Sequence, residues 1–337
     1  MKGQKLIIAG CGAISDDFHL PAALRSESLE VVALVDREKS RAEILKKKYG
    51  ISAKVAGELQ EVLEGAHGVV IATPNHIHAS MARMALENGC GVLVEKPLTT
   101  QATEAYALCE LAQRQGKILQ TGFFTRYYPV VDLVKRLLAE DFFGRIESFH
   151  FEYGTAGGWA PLSGYNLDRK QAGGGVLVVM GTHFLDRMLY WFGEAEDFAY
   201  ADDSWGGVEA NCRMRFEFSE GFFGTVHLSK TMALQNRFTM RTELYDVELG
   251  WGETDKLTLY PRRWPQTRLK MDGGRENPDA DYFYDQLEDF AAALRGEKAP
   301  RVDGWSGARN VALCEELYAR RTQLEEPWAW YRESSAG

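Results

Sequence analysis

Short apolar runs alternate with amphipathic stretches over the first 121 residues. The apolar runs predict strands buried on both faces, and they lie at Leu6–Ala9, Leu29–Val35, Val69–Ala72, Val92–Val94 and Ile118–Thr121. Between them the spacing predicts helices at about 19–25, 40–48, 78–87 and 100–115, with Ser40 and either Thr99 or Thr100 as caps. Because strand and helix alternate strictly with short turns, the chain should begin with a doubly wound parallel sheet.

The pattern changes after Gly122, where polar and apolar residues begin to alternate. This alternation is typical of antiparallel strands with one solvated face, and it is found at about 145–153, 197–201, 208–218, 222–229 and 237–244. Helices are predicted at about 129–139, 182–191, 279–294 and 307–321. The expected fold class is therefore α/β. Residues 1–121 should form the first domain, and residues 122–337 an α+β domain with a mostly antiparallel open sheet.

Charge and cysteine content narrow the class of protein. The formal net charge is −9, so no global basic field attracts nucleic acid or an anionic membrane surface. The N-terminal apolar stretch is short and ends at Gly10, which predicts neither a signal peptide nor a membrane helix. The five cysteines are widely spaced and form no CxxC pair, which predicts reduced thiols and a cytoplasmic location.

A Gly10-x-Gly12 turn joins the first predicted strand to its helix. The first glycine allows a tight turn, and the second lets the backbone approach a pyrophosphate at the helix N-terminus. Ala13 and Ile14 follow in the same loop, while Ser15 replaces the third small residue of the dinucleotide fingerprint. The turn predicts a dinucleotide site, and a plain structural turn is the alternative.

An acid ends the second predicted strand, 24 residues beyond Gly12. Asp36 stands where a carboxylate can accept hydrogen bonds from the ribose hydroxyls of NAD. Arg37 beside it could instead donate hydrogen bonds to the 2′-phosphate of NADP. We therefore expect NAD as the cofactor, with NADP still open.

The end of the third predicted strand carries further candidate cofactor contacts. Thr73, Pro74 and Asn75 follow the third strand, and Asn75 could bind the cofactor or shape the turn. His78 lies two residues after His76, but a metal site needs further ligands that no cluster supplies. We expect no metal, and a structural or capping role is the alternative for each of these side chains.

Glu95-Lys96-Pro97 ends the strand Val92–Val94. Proline has no N–H and cannot continue a ladder, so Lys96 should lie at the strand end. Open α/β sheets bind ligands at this edge. A surface lysine that happens to precede a turn is the alternative.

A second dense region runs from Gly173 to Asp186. Its three consecutive glycines permit a close approach of the backbone to a ligand or unusual dihedral angles. His183 comes near the predicted start of a helix, and histidine is suited to exchanging protons near neutrality. A capping or core histidine is the alternative.

These motifs together resemble the glucose–fructose oxidoreductase/inositol dehydrogenase family (Gfo/Idh/MocA). The resemblance covers nearly the whole chain, and it includes the segments Gly122–Tyr127 and Phe283–Phe290. It implies a Rossmann domain that binds NAD or NADP, and a substrate on the C-terminal sheet. It also implies that Lys96 contacts the reacting hydroxyl and the nicotinamide, that His183 is the catalytic histidine, and that the Lys96–Pro97 peptide is often cis. Val179 departs from the family pattern, which commonly has an acid at this position.

The expected activity is hydride transfer between the nicotinamide of NAD(P) and a secondary alcohol or ketone of a sugar, cyclitol or sugar derivative. Lys96 and His183 would handle the proton, with Glu95 in the cofactor site and substrate contacts sought among Arg126, Trp159, Tyr165 and Asp168. An NAD-assisted lyase or glycoside hydrolase, and a non-catalytic cofactor-binding regulator, remain open. A homodimer or homotetramer is expected, because the outer sheet face would otherwise be wet and the segment Phe216–Phe223 is rich in aromatic residues.

Overall fold

The computed structural model describes residues 3–157, 164–264, 266–272 and 281–324. The strands are β1 (Gln4–Ala9), β2 (Leu29–Val35), β3 (Lys54–Ala56), β4 (Gly68–Ile71), β5 (Gly91–Glu95), β6 (Leu119–Gly122), β7 (Ile146–Gly154), β8 (Asp197–Asp202), β9 (Asn211–Glu217), β10 (Phe223–Ser229), β11 (Arg237–Thr242), β12 (Tyr245–Gly250), β13 (Lys256–Pro261), β14 (Leu269–Asp272) and β15 (Arg321–Gln323). The α-helices are α1 (Leu20–Arg25), α2 (Lys39–Tyr49), α3 (His78–Glu87), α4 (Ala102–Gln115), α5 (Pro129–Ala139), α6 (Arg169–Ala172), α7 (Thr182–Phe192), α8 (Tyr282–Leu294) and α9 (Gly304–Ala319).

The chain divides into two compact units. The first unit comprises residues 1–127, 171–173 and 279–312, and the second unit comprises residues 128–170, 174–278 and 313–337. The sequence predicted a boundary at residue 122 and one continuous second domain. The structure instead returns residues 171–173 and 279–312 to the first unit.

The first sheet confirms the predicted doubly wound architecture. Its strand order is β3-β2-β1-β4-β5-β6, and neighbouring strands run parallel to each other. The last residue of β1, Ala9, pairs with Val35 on one side and with Ile71 on the other. The order therefore reverses at β1, and this reversal is the point at which open α/β sheets bind ligands.

Helix α8 belongs to the first unit because its apolar face completes a core there. Phe283, Leu287 and Phe290 are buried in one cluster with Leu6 and Ile8 of β1. Asp281 caps the helix, because its carboxylate accepts the N–H groups of Phe283 and Tyr284 at 3.1 Å each. A sequence pattern predicts such a helix but not which sheet it covers.

The second sheet is mixed and mostly antiparallel, as predicted. Its order is β14-β13-β12-β11-β7-β10-β9-β8-β15, with parallel pairs only at β7/β10 and β8/β15 among the described strands. Phe216, Phe218 and Phe222 lie in its buried core cluster. The outer face of β9 carries Arg213 and Arg215 instead. Three of the aromatic residues cited for an outer interface therefore face inward, whereas Phe223 is half-buried on the outer face, with the Arg215 guanidinium carbon 4.0 Å from its ring centroid.

None of the helices in the described part of the chain combines the length and the apolar character needed to cross a bilayer.

Candidate functional site

The glycine turn after β1 is fixed by its own contacts. Gly10 has φ +94°, and its N–H donates to the Val35 carbonyl at 2.8 Å. A Cβ at this position would overlap the carbonyl oxygen of Ala72. The Ser15 hydroxyl, which is buried, donates to the Gly10 carbonyl at 2.5 Å. Gly10 is therefore required by the turn itself, and Ser15 stabilises that turn where the fingerprint has a third small residue.

Gly12 has a different environment from Gly10. Nothing lies within 4 Å of the position that its Cβ would occupy. Its carbonyl accepts the N–H groups of Ser15 at 3.1 Å and Asp16 at 3.0 Å, which begins the helical turn Ser15–His19 that leads into α1. The open side of Gly12, with half-buried Ala13 and Ile14 next to it, fits a ligand that must come close to backbone.

Asp36 holds two loops at the end of β2. Its Oδ2 accepts the Cys11 N–H at 2.9 Å, and its Oδ1 accepts the Glu38 N–H at 2.8 Å. The half-buried carboxylate is thereby oriented beside the glycine turn, while Arg37 is exposed. The pKa of the Cys11 thiol is raised to about 12, mainly by burial and to a smaller extent by the negative charge of Asp36. This thiol therefore stays protonated at neutral pH.

The turn after β4 is tied down by buried polar groups. The Asn75 amide donates to the Ala172 carbonyl at 2.8 Å. His78 is fully buried, and its ring nitrogens lie 2.8 Å from the Pro97 and Thr73 carbonyl oxygens. Burial lowers the pKa of His78, against the effect of these carbonyls. His78 was predicted among the cofactor contacts. Both ring nitrogens face carbonyls, so His78 joins two backbone turns, and its contact with the cofactor stays a prediction.

Glu95 and Lys96 end β5 in a defined arrangement. Glu95 is 8% exposed; its Oε1 lies 2.8 Å from Nε2 of His19, and its Oε2 accepts the Lys96 N–H at 3.2 Å. The Lys96–Pro97 peptide is cis, as the family resemblance implied, and Lys96 is half-buried. Glu95 was predicted as a cofactor contact. Its contacts within the protein orient the backbone that carries Lys96, and its contact with the cofactor stays a prediction.

Sequence reasoning missed His19. It lies at the end of the turn Ser15–His19, is fully buried, and contacts the ring of Phe283 edge-on at 5.1 Å between centroids. A histidine in the first helical turn after a glycine loop was the available signal. Its partner Glu95 is 76 residues away and could not be identified without the fold.

The glycine-rich segment of the second unit packs against the protein itself. A Cβ on Gly174 would overlap the Tyr318 hydroxyl, and one on Gly175 would overlap the Glu209 backbone. The buried Glu209 carboxylate accepts the N–H of Gly175 at 2.9 Å, the N–H of Leu177 at 3.0 Å and the Tyr318 hydroxyl at 2.8 Å. Internal packing therefore explains Gly174 and Gly175, and Gly173 has φ +85°, the unusual dihedral angle that was the second alternative for this segment.

His183 lies in the first turn of α7 and is 4% exposed. Its ring centroid is 6.3 Å from that of Trp251. Arg187 follows one helical turn later, and its guanidinium carbon is 4.8 Å from the same indole. Val179 is half-buried in the short π-helical turn Leu177–Gly181 that precedes α7.

Asp168, one of the remaining substrate candidates, makes local hydrogen bonds. The Asp168 Oδ1 accepts the Lys170 N–H at 2.9 Å at the start of α6, and the Asp168 N–H donates to the Tyr165 carbonyl at 3.1 Å. Arg126 is 6% exposed in the first unit. Trp159 lies outside the described residues. Within the described ranges, no group of three or more His, Cys, Asp or Glu could hold a metal ion.

Comparison with known families decides the class of this chain. Residues 4–123 match the oxidoreductase family with an NAD-binding Rossmann fold named Gfo/Idh/MocA, and residues 131–245 match the C-terminal domain of the same family. The chain belongs to the Gfo/Idh/MocA family. The predicted family, fold class, NAD(P) cofactor and oxidoreductase class are thereby confirmed.

Individual relatives show how far the likeness extends. An uncharacterized oxidoreductase, ORF334, of Rhizobium meliloti is 27% identical over 94% of this chain and 97% of its own. The D-glucoside 3-dehydrogenase of Escherichia coli is 30% identical over 56% of this chain, which spans about half (54%) of that enzyme. A levoglucosan dehydrogenase crystallised with NADH and levoglucosan superposes with a TM-score of 0.84 at 19% identity, over 94% of this chain and 97% of that one. At that identity the superposition establishes the fold.

The glycine turn fits the cofactor of the Gfo/Idh/MocA family. Gly12 leaves open space beside its backbone, and Asp36 is held by two N–H groups at the neighbouring strand end. Gly10, Gly12, Ala13, Ile14 and Asp36 are thus the residues that would hold the dinucleotide.

Proposed function

We propose that this member of the Gfo/Idh/MocA family transfers a hydride between a nicotinamide dinucleotide and a secondary alcohol or ketone of a sugar, cyclitol or sugar derivative. The observation that carries the proposal is the arrangement at one edge of the first sheet. There the glycine turn and Asp36 follow β1 and β2, and the buried His19–Glu95 pair orients the backbone of Lys96 after β5. Relatives named as sugar dehydrogenases support the substrate class.

Within this proposal the protein supplies position and proton transfer. A bound nicotinamide supplies the hydride chemistry. Lys96 polarises the reacting oxygen of the substrate, and His183 takes its proton during oxidation and returns it during reduction. Arg126, Tyr165 and Asp168 are proposed to contact the substrate, and Thr73 and Pro74 to border the cofactor.

Substitution of the two proton-handling residues tests this mechanism. Lys96→Met and His183→Ala should each lower kcat by about 100-fold or more, because general acid–base catalysis contributes about 100- to 10,000-fold. NAD+ affinity, measured by calorimetry, should stay within about threefold. Exposed Lys47→Met and His76→Ala serve as matched controls. Full turnover in both Lys96→Met and His183→Ala would refute the assignment.

The same assay separates the other two activities. A dehydrogenase changes the absorbance of the cofactor at 340 nm with net turnover. A lyase or hydrolase with transient oxidation forms product without that change. A regulator, for which the loss of the family acid at Val179 is the supporting feature, binds NAD(H) and turns over none of a panel of sugars and cyclitols.

We further infer a homodimer or homotetramer in the cytoplasm. The outer face of the second sheet is polar, with Arg213 and Arg215 on β9 and Thr225 on β10, and such a face suits a hydrogen-bonded interface between copies. The five cysteines are buried free thiols, which suits a reducing compartment. Light scattering that found only monomers would disprove the oligomer, and fractionation of the source cells tests the location.

A further inference from the structure

Arg187 is a buried cation in the second unit. The residue is 2% exposed on α7. Its guanidinium carbon lies 4.8 Å from the ring centroid of Trp251 and 5.4 Å from that of Tyr128. Both distances are within the range of a cation–π interaction. Aromatic rings therefore provide part of the environment of this charge.

The hydrogen-bonding edge of Arg187 is not satisfied by the protein. Its Nε and Nη2 are buried and have no hydrogen-bond partner in the described part of the chain. Burial lowers the pKa of Arg187 to about 10, against the effects of Tyr128 and Asp186, so the group is still charged at neutral pH. A buried charge without hydrogen bonds is unfavourable, and the two N–H groups need an acceptor.

Arg262, in the same unit, shows what a structural arginine looks like here. Its Nη1 donates to Oε1 of Glu147 and to the Thr242 carbonyl, each at 2.8 Å. Arg187 has aromatic neighbours and, among the described residues, no carboxylate within 4.0 Å of its guanidinium nitrogens. A purely structural role therefore leaves the geometry of Arg187 unexplained.

The two unsatisfied donors form one edge of the guanidinium. Nε–H and Nη2–H point in the same direction, and this edge binds the two oxygens of a carboxylate or phosphate side by side. His183 and Arg187 are four residues apart and share a helix face, with Trp251 in contact with both.

We propose that Arg187 binds an anionic group of the substrate, a carboxylate or phosphate, through Nε and Nη2, and so selects acidic sugars. This inference rests on the proposed function, since it names the substrate class of the site to which His183 is assigned. The anion supplies the acceptors that the protein does not.

Binding experiments test the proposal without turnover. The NAD+-loaded protein is titrated calorimetrically with D-glucuronate, D-glucose 6-phosphate and D-glucose, for the wild type and for Arg187→Met, Arg187→Lys and exposed Arg136→Met. The wild type and Arg136→Met should bind at least one acidic sugar about tenfold or more tightly than glucose. Arg187→Met should lose that preference, and Arg187→Lys should keep only part of it. Comparison of glucuronate with glucose 6-phosphate distinguishes carboxylate from phosphate.

The outcomes separate this inference from the proposed function. Preference for an acidic sugar, with no hydride transfer to any member of the panel of sugars and cyclitols, would leave Arg187 as an anion site and refute the dehydrogenase. Turnover of sugars with equal affinity for acidic and neutral ones would overturn the role of Arg187 alone.

Stability gives an independent readout of Arg187. If the residue serves the ligand, Arg187→Met should unfold in urea at the same concentration as the wild type or higher, because an uncompensated buried charge is removed. If Arg187→Met had a lower urea midpoint than the wild type and kept the preference for acidic sugars, Arg187 would be a structural residue and the proposal would be overturned. Arg187→Lys retains the charge, so its binding data decide the question if Arg187→Met does not fold.

Discussion

The Nε2 atom of His19 lies 2.8 Å from Oε1 of Glu95, and both side chains are buried. The pair joins the turn that follows the glycine loop to the end of β5. Because Oε2 of Glu95 also accepts the Lys96 N–H at 3.2 Å, the contact links the dinucleotide loop to the proposed catalytic lysine. A change at His19 should therefore affect both stability and activity.

His19→Ala should lower the free energy of unfolding by about 2 kcal/mol, since it leaves a buried carboxylate oxygen without its partner. It should also lower kcat about tenfold, because the backbone at Lys96 loses its support. Urea denaturation and the rate of NAD+ reduction measure the two effects. Exposed His76→Ala is the control, and equal behaviour of the two variants would contradict this role for the pair.

Gly175→Ala should be strongly destabilising, by about 3 kcal/mol or more, because its Cβ would overlap the Glu209 backbone. Gly207→Ala is the matched control, since nothing lies within 4 Å of the position of its Cβ. Soluble yield and thermal midpoint compare the two variants. A stable Gly175→Ala protein would mean that the backbone at Glu209 can move aside.

Asp36→Ser should raise the KM for NAD+ about tenfold or more, because the carboxylate that orients the Cys11 loop and faces the proposed ribose position is lost. Activity with NADP+ should fall less, since Arg37 remains beside the site. Steady-state kinetics with both cofactors measure the ratio. Exposed Glu64→Ala should change neither KM, and an unchanged NAD+/NADP+ ratio in Asp36→Ser would remove Asp36 from the cofactor site.

Stability should fall as the pH is lowered from about 6.5 to about 4, in part because of His227. The pKa of His227 is lowered to about 4, mainly by burial and to a smaller extent by the nearby charges of Arg213 and His150. The Glu152 carboxylate acts in the opposite direction. Between about pH 6.5 and 4 the unfolded chain binds a proton at His227 that the folded protein does not bind. The contribution of His227 to the free energy of unfolding is therefore fully present above about pH 6.5 and is lost as the pH approaches 4. His227→Gln should make the loss between pH 6.5 and 4 smaller by about 1–3 kcal/mol.

Thermal or urea unfolding at several pH values measures this slope. Exposed His76→Gln is the control variant. A His227→Gln protein that loses stability with acid as steeply as the wild type would contradict the prediction.

Periodicity predicted the elements in which apolar positions repeat regularly. The helices α3 and α5 were predicted with the bounds they have, and β2 likewise, because apolar residues repeat clearly there. The short strand β3 was missed, since three residues carry too little pattern. Ser40 and Thr99 or Thr100 were wrong as caps: Glu38 and Gln101 are the N-cap residues, and neither makes a side-chain cap bond.

The residues of the candidate site also fall into two groups, those that local spacing predicts and those that it does not. The turn at Gly10 and the position of Asp36 after the neighbouring strand were predictable, because their spacing reflects a local strand–turn–helix unit. His19 and Arg187 were not, because their significance depends on partners far along the chain or on the lack of one. A buried polar group is recognised only when its surroundings are known.

Helix α8 also bears on how the protein forms during synthesis. Phe283, Leu287 and Phe290 complete the core around β1, so the sheet formed by the first 122 residues leaves the ribosome with one apolar surface uncovered. About 160 further residues must be translated before the helix emerges, and at 5–20 residues per second that takes about 8 to 32 seconds. During this interval the nascent sheet presents an apolar surface that a chaperone can bind, although the finished protein buries it.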